Sequence, residues 1–244
     1  MMIVKIGLMH YRVGETDGVS LEMEKWKTVL ELMGHDVHFI AGELNGMDGF
    51  QVPSLGMDNQ KNLLIHSNAF ESLETPLDQL KEMFNSYVVE IEKELMVLPK
   101  FDILMVNNVL SLGYNLAASL AVTGYVAKTG TSLITHNHDF YWERERYSKP
   151  TCDFVIELLE NYFPPNLENS KHVTINKIAR DELKRRKGID STVVPNVFDF
   201  DQDEWKLDAY NEDLRERLGI PNEDIVVLHA TRIVERKAIE IAMD

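Results

Sequence analysis

Ile3-Val4-Lys5-Ile6-Gly7-Leu8-Met9 is a short apolar run, and beyond it Val19, Met23, Trp26, Leu30 and Met33 recur at steps of four, three, four and three. The run has the length of a buried strand, and the recurrence has the period of an amphipathic helix. Between them Gly14-Glu15-Thr16-Asp17-Gly18 forms a polar turn, and Gly34 stops the helix. A second apolar run, Val37 to Ala41, follows at once. Strand, helix and strand in that order make a crossover unit, the building block of a parallel sheet covered on both faces.

The same alternation continues along the chain. Gly42 to Asn62 has no sustained period and reads as a long loop, with a short strand at Leu63 to His66. Thr75-Pro76 is an N-cap with proline at the first helical position, and Leu77, Leu80, Phe84, Tyr87, Ile91, Leu95 and Leu98 trace one helical face. Phe101 to Val106, Ser132 to Thr135, Val173 to Asn176, Thr192 to Val194 and Ile225 to His229 read as further strands. Helices are expected over Gly113 to Lys128, Ile178 to Lys187 and Asn211 to Leu218. The fold class is α/β, a Rossmann-like doubly wound and mainly parallel sheet. Pro195-Asn196 reads as the exit from a first domain over residues 1–198. The acidic stretch 199–217 is a linker, and 218–244 opens a second, truncated domain.

Composition bounds the function. Apolar residues make up 44% of 244, enough for a large core, and the formal charge is −15. Nucleic acid and anionic membranes need basic faces, so neither is expected as a partner. The one cysteine, Cys152, excludes an internal disulfide and a cysteine metal cage. No run reaches the ~18 apolar residues of a membrane span, and no secretory signal is visible, so a cytoplasmic protein is expected. Gly14 to Gly18 lacks the G-x-G-x-x-G spacing of a dinucleotide fingerprint, which disfavours nicotinamide and flavin enzymes. No cofactor and no metal site are expected.

Three constellations carry chemistry. Arg232 and Lys237, just beyond a strand and at the mouth of a helical pattern, suit a diphosphate, because fixed cations and helix N-terminal amides both attract anions. His136-Asn137-His138-Asp139 lies at a strand end, where open α/β sheets place their ligand crevice. A merely hydrogen-bonded loop is the plainer reading of that segment. Tyr141, Trp142, Arg144 and Arg146 then join aromatic surface to guanidinium groups, which stack on sugar rings and read anionic groups. An exposed salt-bridged helix start accounts for the same residues. The basic run Lys184 to Lys187 reads as a solvated helix face.

Taken in order, these segments resemble the group 1, or family 4, retaining glycosyltransferases of the GT-B fold. The resemblance rests on the glycine loop after strand one, Gly34-His35-Asp36-Val37, His138-Asp139, Val194-Pro195-Asn196, and Arg232 through Lys237. It implies an N-terminal domain that holds the acceptor and a C-terminal domain that holds the nucleotide sugar. By the same resemblance Arg232 and Lys237 clamp the donor diphosphate, with the amides of Gly18 and Val19 approaching it from across the cleft, or approaching the acceptor. His138, with His136 and Asp139, orders the reacting groups. Where the family usually carries paired glycines this chain has Asp17-Gly18, a departure that places the Asp17 carboxylate near sugar hydroxyls. Tyr141, Trp142, Arg144 and Arg146 line a pocket for a small sugar, sugar-phosphate or hydroxy-acid acceptor, preferably anionic. The chain would then be a fragment, inactive alone. The alternatives are a non-catalytic sugar or sugar-phosphate binding module and another GT-B enzyme, such as a sugar-nucleotide epimerase.

Overall fold

The computed structural model describes residues 3–198, 200, 206–231, 233 and 237–243. The chain divides into two units, Met1–Val197 and Phe198–Asp244. The first is built on a seven-stranded sheet whose strands are β1 (Lys5–Arg12), β2 (Asp36–Glu43), β3 (Gly49–Gln51), β4 (Ile103–Asn107), β5 (Ser132–Asn137), β6 (Ser170–Thr174) and β7 (Thr192–Val193). Their order is β3-β2-β1-β4-β5-β6-β7, and every pairing is parallel. The winding direction reverses between β1 and β4. At such a reversal the connections leave the sheet on opposite sides and open a crevice at the carboxyl ends of the strands.

Parallel pairing requires crossovers, and the helices supply them. α1 (Gly18–Leu32) joins β1 to β2, and α2 (Gln60–Phe70) with α3 (Leu77–Met96) lies between β3 and β4. α4 (Leu116–Thr129) joins β4 to β5. The short α5 (Glu145–Ser148) and α6 (Asp153–Tyr162) precede β6, and α7 (Lys177–Lys187) leads to β7. Alternate residues of each strand feed opposite faces. Ile6, Leu8, Val37, Phe39 and Met105 pack with Met23 of α1. Met9, Ile40, Leu104, Val106 and Leu133 pack into the larger core against α3 and α4. The expected stripe of α3 is the anchor of that core: Leu80, Phe84, Tyr87, Ile91 and Leu95 are all buried. Burial of each such side chain contributes ~1.5–3 kcal/mol.

Two local features bear on the crevice. Asp17 caps α1, its Oδ1 accepting from the amides of Val19 at 3.0 Å and Ser20 at 3.1 Å. Gly42, near the end of β2, stands so close to Gly56 that a Cβ there would lie 2.1 Å from the Gly56 nitrogen. Only glycine admits this approach, which holds the 3₁₀ turn Pro53–Leu55 against the sheet.

The structure differs from expectation at four places. Thr75 does not cap α3: Pro76 holds the N-cap position, the helix starts at Leu77 and no side chain caps it. Leu63 to His66 is not a strand but the middle of α2, whose Asn59 cap accepts from Lys61 and Asn62. The helical period was hidden because Leu63 and Leu64 face solvent while Asn62, His66 and Asn68 are buried. Gly42 to Asn62 contains β3 and the 3₁₀ turn as well as loop. In the second unit α8 (Leu214–Leu218) and α9 (Ile239–Met243) form, but Ile225 to His229 is not a strand. A strand needs a neighbour for its backbone groups, and that unit offers none among the described residues.

Candidate functional site

Three buried imidazoles meet at the reversal point. His10 lies near the end of β1, His136 near the end of β5 and His138 just beyond it, while Asn107 closes β4 and Asn108 follows it. His10 Nδ1 lies 2.8 Å from the backbone oxygen of Asn107, and His138 Nε2 lies 3.2 Å from the Asn107 side-chain oxygen. Both contacts end on oxygens that only accept, so each ring nitrogen in them carries the proton. Nε2 of His10 and Nδ1 of His138 are left as lone-pair acceptors.

Asn108 fixes the loop that carries His138. Its Oδ1 accepts from the amides of His138 at 2.8 Å and Asp139 at 3.1 Å, and its own N–H donates to the His136 carbonyl at 3.1 Å. It does this at φ +58°, a conformation asparagine tolerates better than other side chains with a Cβ.

His136 is 1% exposed and neither of its ring nitrogens has a hydrogen-bond partner. Its ring packs 4.2 Å from His138 and takes the edge of Trp26 at 5.5 Å, centroid to centroid. Burial pushes His10 and His136 down to about 4. Burial, then the neighbouring imidazoles, pushes His138 further, to about 2. At neutral pH all three are uncharged. The site therefore offers hydrogen-bond acceptors and donors rather than cations, a surface suited to hydroxyl groups.

The nearest fixed charges are balanced. Arg12 Nε reaches Asp17 Oδ2 at 3.3 Å, and the hydroxyl of Ser20 donates to the same oxygen at 3.0 Å. Burial opposes ionisation of Asp17, but these hydrogen bonds and the neighbouring Arg12 outweigh it and hold its carboxyl below the usual range. The amide of Val19 is taken by Asp17. Gly18 has open space on its Cβ side. Asp139 accepts from Arg144 Nη2 at 2.7 Å.

The aromatic segment turns toward α7. Trp142 stacks on Phe140 at 4.4 Å with Arg186 over its ring, and Lys187 lies over the ring of Tyr141. Arg146 is on the other side of the same loop, where its Nη2 lies 3.3 Å from His66 Nε2. In the basic run, Lys184 pairs with Asp190, Arg185 and Arg186 pair with Glu182, and Lys187 caps the α6 carbonyls of Leu159 and Glu160. It is a solvated, internally balanced face, as the overall charge implies.

The structure thus brings His136, His138 and Asp139 together with Asp17, Gly18 and Val19 on one edge of the first unit. Lys237 is exposed in the second unit, two residues before α9, and Arg232 lies outside the described residues. Reading residues alone passes over His10, Asn107, Asn108, Trp26 and His66. The signal available for three of them was position, since His10, Asn107 and Asn108 are polar residues at the ends of buried strands. No group of three or more histidine, cysteine or carboxylate side chains among the described residues is arranged to hold a metal ion. No described helix is long and apolar enough to cross a membrane.

Two curated relatives match almost the whole chain. It is 44% identical over 242 residues to the mannosylglucosylglycerate synthase of Petrotoga mobilis, and 42% identical over 247 residues to that of Thermotoga maritima. Each match covers 99% of this chain and 56% of the relative, so the chain spans about half the length of the curated relatives it matches. No family model matches the sequence.

Proposed function

We propose that this chain is the acceptor-binding part of a retaining glycosyltransferase that moves a sugar from a nucleotide donor onto a glycerate-bearing acceptor. The observation that carries the reading is the neutral imidazole cluster at the carboxyl edge of β1, β4 and β5. Bare acceptors on His10 and His138 suit sugar hydroxyls. The similarity to two synthases whose name joins mannosyl, glucosyl and glycerate supplies the chemical class. In this reading residues 1–198 hold the acceptor, and 218–244 begin a nucleotide-sugar-binding domain in the GT-B manner.

His138 sits at the reacting centre. Its ring is held by Asn107 and its backbone by Asn108, so its Nδ1 is aimed before substrate arrives, which is where preorganised groups gain their advantage. Arg232 and Lys237 neutralise the departing diphosphate as its bond to the anomeric carbon breaks, and the acceptor hydroxyl attacks on the same face, passing its proton to the leaving diphosphate oxygen, so configuration is retained. Cationic side chains take the part a divalent metal plays elsewhere. The test is to supply the whole protein with nucleotide sugars and glucosylglycerate in the presence of a chelator. Nuclear magnetic resonance then reads the anomeric configuration of the product. Retained configuration with undiminished turnover supports the reading; an inverted anomer, or binding without transfer, overturns it.

A further inference from the structure

Arg144 and Arg146 stand two residues apart and face different partners. Arg144 is matched by the Asp139 carboxylate at 2.7 Å. Arg146 has no carboxylate within 4.0 Å among the described residues, although the chain carries 40 acidic residues against 25 basic ones. Its guanidinium rests instead on a neutral platform, with Nη2 at 3.3 Å from His66 Nε2 and the group 5.0 Å above the ring of Tyr147.

Arginine only donates, so His66 Nε2 must present its lone pair and His66 must be uncharged. Burial, reinforced by the Arg146 charge, keeps it so by pushing its pKa down to about 4. The imidazole is itself held by rings. Tyr147 meets it edge-on at 5.6 Å, Phe70 lies at 5.2 Å and Tyr114 at 5.8 Å. Tyr114 in turn touches Tyr11 at 5.1 Å, and Tyr11 touches His10 at 5.2 Å. Tyr11 is the penultimate residue of β1, Tyr114 lies in the connection after β4, and Arg146 and Tyr147 lie in the connection after β5. This aromatic wall therefore belongs to the same carboxyl edge as the three histidines and leads from them to an exposed, oriented guanidinium.

We propose that Arg146, positioned by His66, is the cation that reads the acceptor carboxylate, and that Arg144 is not. The ring beneath and the imidazole beside it fix the plane of the guanidinium, while its other N–H groups remain for a planar carboxylate. Locking the fork in advance reduces the ordering cost of binding. The proposal rests on the glycerate-bearing acceptor argued above, and its test is chosen to be independent of sugar transfer.

Binding to the 244-residue chain is measured by calorimetry with two probes, glucosylglycerate and glucosylglycerol, which differ in a carboxylate against a hydroxymethyl group. The native chain should prefer glucosylglycerate at least tenfold. Arg146→Gln should remove that preference, and Lys149→Gln, an equal loss of charge on the neighbouring surface, should keep it. His66→Phe should weaken glucosylglycerate severalfold with an unchanged affinity for glucosylglycerol, and His66→Gln, which restores an acceptor oxygen, should recover most of the loss. Equal affinity for the two probes, no saturable binding of glucosylglycerate, or a preference abolished by Arg144→Gln and retained by Arg146→Gln would each overturn the proposal. A carboxylate preference in a protein that transfers no sugar would leave this inference standing and remove the transferase reading; transfer without the preference would do the reverse.

Discussion

The side-chain oxygen of Asn107 and Nε2 of His138 lie 3.2 Å apart, across the ends of two adjacent parallel strands. The same asparagine receives His10 on its backbone oxygen. One residue thus sets the proton positions of two imidazoles that are far apart in sequence.

That arrangement predicts tautomers. Long-range nitrogen–proton correlation spectra at pH 7 should show His138 protonated on Nε2 and His10 on Nδ1. Asn107→Ala should erase the preference at His138 and lower turnover of the whole protein by about tenfold to a hundredfold, as expected when a preorganised group loses its support. An Nδ1-protonated His138 in the native chain would contradict the geometry.

Asn108 is expected to matter for stability more than for chemistry. Asn108→Ala loses an acceptor of two amides and the tolerance of positive φ that asparagine has over alanine, for a combined cost of about 2–4 kcal/mol. Asn108→Gly loses the same hydrogen bonds without the backbone penalty and should be ~1 kcal/mol less damaging. Urea unfolding of the two variants measures the difference. Equal losses would mean that the left-handed conformation carries no penalty here.

His136 offers a test of whether the cluster works or merely packs. A buried ring with two unpaired nitrogens carries a desolvation penalty. His136→Phe should keep the contacts with Trp26 and His138 and leave the melting temperature unchanged or higher. If those nitrogens meet substrate, the same variant should lose turnover. His138→Ala should lower turnover about a hundredfold, the usual effect of removing one preorganised contact to developing charge. Full turnover in both variants would return the strand-end loop to a structural role.

Acid should destabilise the first unit earlier than carboxylate protonation would. Burial holds His10, His66, His136 and His172 near about 4, below the unfolded value of ~6.5. As pH falls from about 6.5 toward 4, the unfolded chain binds protons that the folded chain refuses, so stability is lost over that window. From about pH 7.5 upward these residues contribute little pH dependence, because the unfolded imidazoles are then neutral too. Urea midpoints at pH 8.5, 7.5, 6.5, 5.5 and 4.5 should be flat between the first two and fall thereafter. A rising midpoint below pH 6.5 would refute the neutral-histidine description.

The fold was legible where burial and period coincide. β1, α1 and β2 follow directly from apolar spacing, and the stripe of α3 lands in the core from Leu80 through Leu95, with Leu98 partly buried against it and Leu77 outside it. α2 was hidden because its inward face is polar, with Asn62, His66 and Asn68 buried. α6 left no reading either, although Val155, Leu158 and Leu159 bury one face of a short helix. In the candidate site, His136 and His138 were legible as polar residues closing an apolar strand. His10, Asn107 and His66 acquire meaning only when β1, β4 and α2 are side by side. Linear spacing carries no trace of that adjacency.

The pairing of β1 with β4, in which Met9 faces Val106, brings His10 beside Asn107, and the pairing of β4 with β5 sets Asn107 opposite His136. The histidines are thus located by a ruler made of backbone ladders. A single residue inserted within β1, upstream of Met9, would advance His10 by one position and turn it to the opposite face of the sheet. Such an insertion would dismantle the cluster while leaving every one of its side chains intact, so insertion scanning should find the interiors of these strands as intolerant as the histidines themselves.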